Sequence, residues 1–226
     1  VSDAARMKVD ANYVPPRYVE VIVKDPEQEI CFVLALWACA IMGYRVWSLR
    51  RGQKLLEMDL LRLPDGMKIL PEDSRDYARQ VEALPEEMRG ELLPRALLSG
   101  LHRFGSTRNI QDVSSAIRDT CELEFGRLDA ELSMVRYVAW AIPAIGFVGT
   151  VRGIGESLQQ AHKAVEGDVS GVVAGLGIAF NSTLVALALS ILVMFMLHQI
   201  QLRQERAVLD TEGFLDTHVV RQMLVR

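Results

Sequence analysis

The stretch GVVAGLGIAFNSTLVALALSILVMFML, at residues 171–197, decides the fold because it contains no charged residue. It is longer than the roughly 18 uncharged residues that indicate a transmembrane helix. A helix that is apolar on every side needs lipid or a large protein core around it. We therefore predict that residues 171–198 cross a membrane.

A second apolar run, YVAWAIPAIGFVGTV at residues 137–151, lies between Arg136 and Arg152. Pro143 falls inside it and is expected to kink the helix, because proline lacks the N–H that would bond the carbonyl four residues earlier. Membrane helices tolerate such prolines where a neighbouring group bonds the freed carbonyl. We predict a second span over residues 134–152.

The first apolar run, ICFVLALWACAIMGY at residues 30–44, is short for a span, which needs about 20 residues. Arg45 can extend its charge toward the lipid surface and Trp47 can lie at the interface. These two residues make a span over residues 30–47 feasible. A buried helix of a soluble protein is the alternative interpretation.

The composition agrees with a membrane protein. Half of the residues are hydrophobic and the net charge is −4, which argues against a nucleic-acid-binding protein because such proteins carry basic patches. The four histidines are scattered without the spacing of metal ligands. No GxxxxGK, GxSxG or HExxH motif is present. We expect no metal, no other cofactor and no enzymatic activity.

Residues 48–133 are charged and contain four prolines, which indicates a series of helices that begin or end at those positions. Asn109 is predicted to be the N-cap of a long helix whose apolar residues recur at steps of three and four. No stop signal follows, so this helix is expected to continue into the second span without a break. Its predicted apolar stripe is Ile110, Val113, Ile117, Cys121, Phe125, Leu128, Leu132 and Val135.

The chain is therefore predicted to be an all-α membrane protein with three transmembrane helices and long helices that extend into a cytoplasmic helical domain. Lysine and arginine residues set its orientation, because cytoplasmic loops carry the excess of positive charge. Arg50, Arg51 and Lys54 follow the first span, and Arg203 and Arg206 follow the third. The predicted segments are a loosely ordered N-terminal segment outside the membrane (1–29), a first span (30–47), a cytoplasmic helical insertion (48–133), a second span (134–152), an external connection (153–170), a third span (171–198) and a cytoplasmic helical tail (199–226).

The stretch PAIGFVGTVRGI, at residues 143–154, carries the most specific pattern in the chain. It resembles the signature Pro-x-Ile/Leu-Gly-x-x-Gly-Thr-Val-Trp-Gly-Ile/Met of the MotA/TolQ/ExbB proton-channel family, and is most similar to its TolQ and ExbB branch. The sequence GIA at residues 177–179 resembles the family's Gly-Ile-Ala in the third span. Arg152 replaces the family's tryptophan, and Phe180 and Val185 stand where that branch has a glutamate and a threonine.

The resemblance implies a channel or stator subunit of an ion-driven motor in the bacterial inner membrane, with the N-terminus outside and the C-terminus in the cytoplasm. It implies a pentameric ring around a helix pair from a MotB-, TolR- or ExbD-like single-span protein. The transported ion is expected to be H⁺, with Na⁺ as the alternative. Lipid and the partner protein are the expected contacts, and nucleic acid is not.

Hydroxyl and amide side chains of the second and third spans are predicted to lie at one depth. Thr150 lies roughly 20 Å from the cytoplasmic end of its span, and Thr183 about 22 Å from that of the third, at 1.5 Å per residue. Thr150, Asn181, Ser182 and Thr183 are therefore predicted to line a narrow ion path. The alternative is that these side chains bond carbonyls of their own helix or hold the helices together.

Small residues near this level have the spacing that lets helices approach closely. Packing within one subunit and packing between subunits are both open at these positions. The predicted kink and packing positions are Pro143, Gly146, Gly149, Gly153, Gly171 and Gly175.

Neither the second nor the third predicted span contains Asp, Glu or Lys. Hydroxyl groups cannot hold and release a proton near neutral pH, so the proton acceptor must come from elsewhere. The resemblance assigns this role to an aspartate in the membrane helix of the partner. A non-conducting structural scaffold and a sodium-driven stator are the alternatives to a proton-driven channel. A small membrane enzyme lacks support, because the sequence shows no acid–base or nucleophile cluster.

Overall fold

A computed structural model of the chain describes residues 25–54 and 68–225, with only the backbone of Lys54. Most of the predicted N-terminal segment 1–29 lies outside these residues, as does Pro64. Within them the fold is all-helical, as predicted. Ile69 and Met223 add one parallel bridge, the only one in the described part of the chain.

Eight α-helices and one short 3-10 helix account for most of the described residues. In chain order they are α1 (Pro26–Lys54), α2 (Ser74–Glu82), α3 (Glu86–Arg89), α4 (Leu92–Thr107), α5 (Ile110–Glu131), α6 (Ser133–Gln159), α7 (Ala161–Val165) and α8 (Ser170–His218), followed by the 3-10 helix Val220–Gln222.

Three helical segments are long and apolar enough to cross a membrane, namely Pro26–Gln53, Ile110–Gln159 and Ser170–Gln222. Large apolar side chains on them are widely exposed, for example Trp140 at 72% and Ile191 at 70%. Exposed apolar surface of this extent is typical of side chains that face lipid or another protein. The prediction of three apolar helices that could span a membrane is confirmed. The exact limits of the spans stay predictions, because a helix end does not mark a bilayer boundary.

The helices differ from the predicted segments at three places. α1 already begins at Pro26, since proline suits a helix start and the acidic Glu27 and Glu29 favour the positive N-terminal end. α6 continues to Gln159, through the first part of the predicted connection 153–170. The helix that we expected to enter the second span without a break is one helical segment over Ile110–Gln159, in which a single turn residue, Leu132, separates α5 from α6.

The described residues form two compact units, and the first contains residues 25–39 and Tyr137–Met194. In this unit α6 and α8 are antiparallel. Ser190 Oγ donates a hydrogen bond of 3.0 Å to Ala139 O, and Ser157 Oγ donates one of 3.0 Å to Val172 O. From Ala139 to Ser157 along α6, the paired residue of α8 shifts from Ser190 to Val172, which is the same number of residues in the opposite direction.

The second unit contains the described parts of Ala40–Arg136 and Phe195–Arg226. Its core packs Leu101 and Phe104 of α4 against α5 and against Leu215 of α8, and all three side chains are fully buried. Asn109 is the N-cap of α5, as predicted, and its side chain accepts a hydrogen bond of 3.0 Å from Gln111 N. This cap satisfies one of the free N–H groups at the helix start.

Candidate functional site

Thr150 of α6 and Thr183 of α8 face each other, and their hydroxyl oxygens are in hydrogen-bonding contact. Both side chains are half-buried. The antiparallel register of the two helices produces this meeting. The structure therefore brings together two of the four residues that the sequence pointed to as lining residues.

Two backbone carbonyls lie within reach of both hydroxyls. Thr150 Oγ1 is 3.3 Å from Gly146 O and 3.3 Å from Ala179 O, and Thr183 Oγ1 is 3.4 Å from the first and 3.1 Å from the second. A hydroxyl has one proton to donate, so these bonds are alternatives between which it can exchange. The hydrogen bonds to a carbonyl of the same helix are those of a purely structural role, which was the alternative to an ion path. The hydrogen bonds to a carbonyl of the other helix hold α6 to α8.

Ser182 lies beside this pair. It is 1% exposed, and its hydroxyl donates a hydrogen bond of 3.1 Å to Ala179 O. A Cβ added to Gly149 would come 2.5 Å from Ser182 Oγ, so the hydroxyl fills the space that the glycine leaves. We call Thr150, Ser182 and Thr183 the hydroxyl level. Asn181 is half-buried and makes no side-chain hydrogen bond to any residue that the structure describes.

Pro143 leaves one carbonyl of α6 without its helical donor, namely Ala139 O. Ser190 of α8 supplies the missing donor at 3.0 Å, and its side chain is buried. This is the neighbour's role that the sequence analysis expected for a proline inside a membrane helix. Ser190 is not identifiable from the sequence, because a serine in an apolar run carries no signal of the group to which it hydrogen-bonds.

Gly153 and Gly175 let α6 and α8 approach backbone to backbone. A Cβ on Gly153 would lie 2.6 Å from Gly175 O and 2.7 Å from Ala179 N. On the other helix, a Cβ on Gly175 would collide with Ser157 Oγ. Such small residues at a helix contact are typical of membrane proteins.

The remaining small residues have different neighbours. A Cβ on Gly146 would collide with Ala186, so this glycine also serves the contact of α6 with α8. Gly171 instead lies against the side chain of Gln160. These contacts are packing within one subunit, and packing between subunits at the same positions stays a prediction.

Arg152 forms ion pairs that the sequence analysis missed. Its Nε donates to Glu27 Oε1 at 2.7 Å, and its Nη2 donates to Glu27 Oε2 at 2.9 Å. Its Nη1 donates to Glu156 Oε1 at 2.9 Å, and Nη2 lies 3.4 Å from Asp25 Oδ1. We call Asp25, Glu27, Arg152 and Glu156 the charge cluster.

Only one contact of the charge cluster has a signal in the sequence. Arg152 and Glu156 are four residues apart on a helix, a spacing that brings side chains together. The sequence predicts a loosely ordered N-terminal segment that includes Glu27, and it shows Arg152 as a charge that flanks the second span and departs from the family motif. Their pairing joins two apolar helices that are far apart in the chain, and no periodicity reveals such a contact.

The second unit contains a polar cavity of about 160 Å³. Two of its ion pairs are Arg45 with Glu131 at 2.6 Å and Arg127 with Glu124 at 3.4 Å. Glu91 also lines the cavity, and burial raises the pKa of its carboxyl, with a smaller contribution in the same direction from Glu124. Within the described residues, no group of three His, Cys, Asp or Glu side chains is arranged to hold a metal ion.

The sequence model of the MotA/TolQ/ExbB proton channel family matches residues 89–213, which is more than half of the chain. The matched range includes the hydroxyl level and Arg152, whereas Glu27 precedes it. No curated protein and no solved structure matches the chain.

Proposed function

The chain belongs to the MotA/TolQ/ExbB proton channel family, and from this premise we propose that it is the channel subunit of a proton-driven motor in the bacterial inner membrane. Membership in the family makes it a multi-pass membrane protein and a channel subunit of an energy-transducing machine, not an enzyme. The ion, its path, the partner and the orientation are the parts that we propose.

The proposed ion path follows the hydroxyl level, with Asn181 as a further lining residue. The contact between Thr150 and Thr183 is the observation that carries this assignment. A hydroxyl both donates and accepts hydrogen bonds. Two hydroxyls in contact, with carbonyl acceptors beside them, can therefore pass a proton by exchanging hydrogen-bond partners.

The path also needs a titratable group, because hydroxyls do not titrate near neutral pH. We propose that a MotB-, TolR- or ExbD-type single-span protein supplies a membrane aspartate, and that a pentameric ring of this chain surrounds its helix pair. One charge that crosses 100 mV releases about 2.3 kcal/mol. That energy is sufficient to bias a rotation or tilt of one set of helices against the other.

A sodium-driven motor is the second candidate, and one observation favours it. Each threonine hydroxyl of the hydroxyl level lies within 3.4 Å of two carbonyl oxygens. Hard cations prefer hydroxyl, carbonyl and carboxylate oxygens as ligands. A non-conducting scaffold is the third candidate, in which the same contacts serve only to hold α6 against α8.

The valine variants Thr150→Val and Thr183→Val test the path, because valine keeps the volume of threonine and removes its hydroxyl. We expect the proton flux across inverted membrane vesicles to fall to that of a strain without the gene. Vesicles from cells that carry each variant in place of the wild-type gene contain the native partner. Loss of one membrane hydrogen bond costs about 0.6 kcal/mol on average, so the variants should still fold.

Ser190→Ala is the matched control for these variants. It removes a hydrogen bond between α6 and α8 away from the hydroxyl level, so we expect flux near that of the wild type. Wild-type flux in both valine variants would show that the hydroxyl level is not the path. Flux that requires Na⁺ and ignores the pH gradient would favour the sodium-driven motor.

A further inference from the structure

The charge cluster stands at the edge of the hydroxyl level. Glu27 Cγ lies 3.6 Å from the position that a Cβ on Gly149 would take, and Ser182 Oγ lies 2.5 Å from the same position. Gly149 directly precedes Thr150 in the chain. The stem of Glu27 therefore packs beside Gly149, next to the hydroxyl level, while its carboxylate is held by Arg152.

A forked ion pair holds Glu27 in surroundings that are largely closed to solvent. The side chain of Glu27 is 12% exposed and that of Arg152 is 34% exposed. Two parallel hydrogen bonds from one guanidinium form the stronger version of this contact. A carboxylate so little exposed depends on its partner, since without it the buried charge is uncompensated. Arg152 thus keeps Glu27 both ionised and fixed in place.

Arg152 has two further carboxylates within reach, those of Asp25 and Glu156. α8 brings no charge to the group, because residues 171–197 contain none. The cluster therefore pairs three carboxylates with a single guanidinium. When Arg152 releases Glu27, its guanidinium keeps Asp25 and Glu156 as partners. The free-energy cost of the release is therefore lower than it would be for an isolated pair.

Gln28, the next residue of α1, adds a second observation. It is 1% exposed, and neither atom of its side-chain amide has a hydrogen-bond partner among the described residues. Native proteins rarely leave a buried amide unsatisfied unless a functional group or water comes to it. Within the described residues, the first turn of α1 thus has a buried amide without a partner next to Glu27.

We propose that Glu27 is a proton-carrying residue of the ion path, supplied by this chain itself, and that Arg152 gates it by pairing with it. This inference rests on the proposed function. A hydronium ion gives a proton to a carboxylate oxygen of Glu27 and becomes water, which removes the charge of Glu27, and Arg152 keeps its pairs with Asp25 and Glu156. When the proton leaves toward the hydroxyl level, the O–H bond on Glu27 breaks, the carboxylate is restored and Arg152 returns to it.

A gate and a purely structural ion pair predict different results. In a structural pair, removal of either partner leaves the other charge buried without a counter-charge. Both single variants would then lower the flux together with the stability. In a gate, Glu27→Gln removes the proton carrier, whereas Arg152→Gln releases it. The two single variants then change the flux in opposite directions.

The flux assay with inverted membrane vesicles tests this difference. We expect Glu27→Gln to lower the flux by roughly a hundredfold, the low end of what a positioned proton-transfer group contributes. We expect Arg152→Gln to raise the flux and the double variant to behave like Glu27→Gln. A fall of flux in both single variants would overturn the gate, as would wild-type flux in Glu27→Gln.

Infrared spectroscopy gives a readout that does not depend on flux. In the purified full chain in liposomes, Arg152→Gln should gain a carboxylic acid C=O band near neutral pH, because the released Glu27 takes up a proton. The band should be absent from the wild type and from the double variant. Spectra of Arg152→Gln without the band, or a band that persists in the double variant, would contradict the inference.

The half-buried ion pair between Arg45 and Glu131 serves as the matched control, with side chains 27% and 21% exposed. We expect Arg45→Gln and Glu131→Gln to change flux in the same direction or not at all. The valine variants separate this inference from the proposed function. If Thr150→Val and Thr183→Val stop the flux and Glu27→Gln does not, the proposed channel is supported and the gate is contradicted. If the two valine variants conduct normally and Glu27→Gln does not, the hydroxyl level is not the path, and the role of Glu27 is still supported.

Discussion

Gly153 and Gly175 meet at a point where the backbones of α6 and α8 leave no room for a methyl group. The carbonyl of Gly175 would lie 2.6 Å from a Cβ on Gly153, and the nitrogen of Ala179 would lie 2.7 Å from it. Backbone atoms cannot rotate away as a flexible side chain can. A side chain at this position can only be accommodated by moving the helices apart, which would also separate Thr150 from Thr183.

Gly153→Ala is therefore predicted to destabilise the protein. Overpacking of a close contact costs about 1–3 kcal/mol, and resistance to unfolding in detergent measures the change. Gly177→Ala is the control on α8, because a Cβ there has no neighbour within 4 Å and alanine is the better helix former. Equal stability of the two variants would show that the close approach does not limit this helix pair.

Glu91 carries a second prediction at the residue scale. Burial raises the pKa of its carboxyl above the ordinary value, so the folded chain binds this proton more tightly than the unfolded chain does. Stability is then lost as the pH rises from the ordinary glutamate pKa through the raised one. Glu91→Gln should be more stable than the wild type at about pH 7 and similar at about pH 4, where the glutamate is largely protonated. Thermal unfolding in detergent at both pH values measures this.

Glu87→Gln is the control for Glu91→Gln. Its side chain is 78% exposed and pairs with Arg51 at 2.6 Å, and an exposed pair of this kind contributes little to stability. We expect the control to leave the stability at about pH 7 close to that of the wild type. A loss of stability in Glu91→Gln at neutral pH would contradict the burial argument.

Among the elements, α5 shows how far helical periodicity predicts structure. Its cap at Asn109 is confirmed, and most of the predicted stripe is buried. Phe125 is the exception at 44% exposure, and Glu124 is buried in its place because Arg95 pairs with it at 2.8 Å. Periodicity places apolar residues on one face, but it does not show that an arginine on another helix makes a buried glutamate favourable.

At the scale of the whole molecule, the predicted topology puts residues 153–170 outside and residues 48–133 in the cytoplasm. Val165 of α7 is 90% exposed and Leu123 of α5 is 74% exposed, so a cysteine at either place can react. In intact spheroplasts, a membrane-impermeant maleimide should label Val165→Cys and should label Leu123→Cys only after lysis. The unsubstituted chain, with Cys31 and Cys121 buried, gives the baseline. Labelling in the reverse order would show that the orientation is inverted.

The candidate site was only partly predictable from the sequence. The rise per residue was enough to place Thr150 and Thr183 at one depth, because the register of two antiparallel helices leaves little freedom. The partner of Arg152 was not predictable, since a polar segment before an apolar run looks the same whether it is solvated or folded against other helices. Contacts between side chains that are far apart in the chain are the part that local patterns do not contain.

The register of α6 on α8 has a mechanical consequence. The hydrogen bonds of Ser190 with Ala139 and of Ser157 with Val172 fix this register at two separate places. A slide of one residue would part each hydroxyl from its carbonyl and crowd the glycines with larger neighbours. α6 and α8 are therefore not expected to slide along each other. The two helices are expected to move together, and a working stroke of the motor would take place outside the contact between α6 and α8.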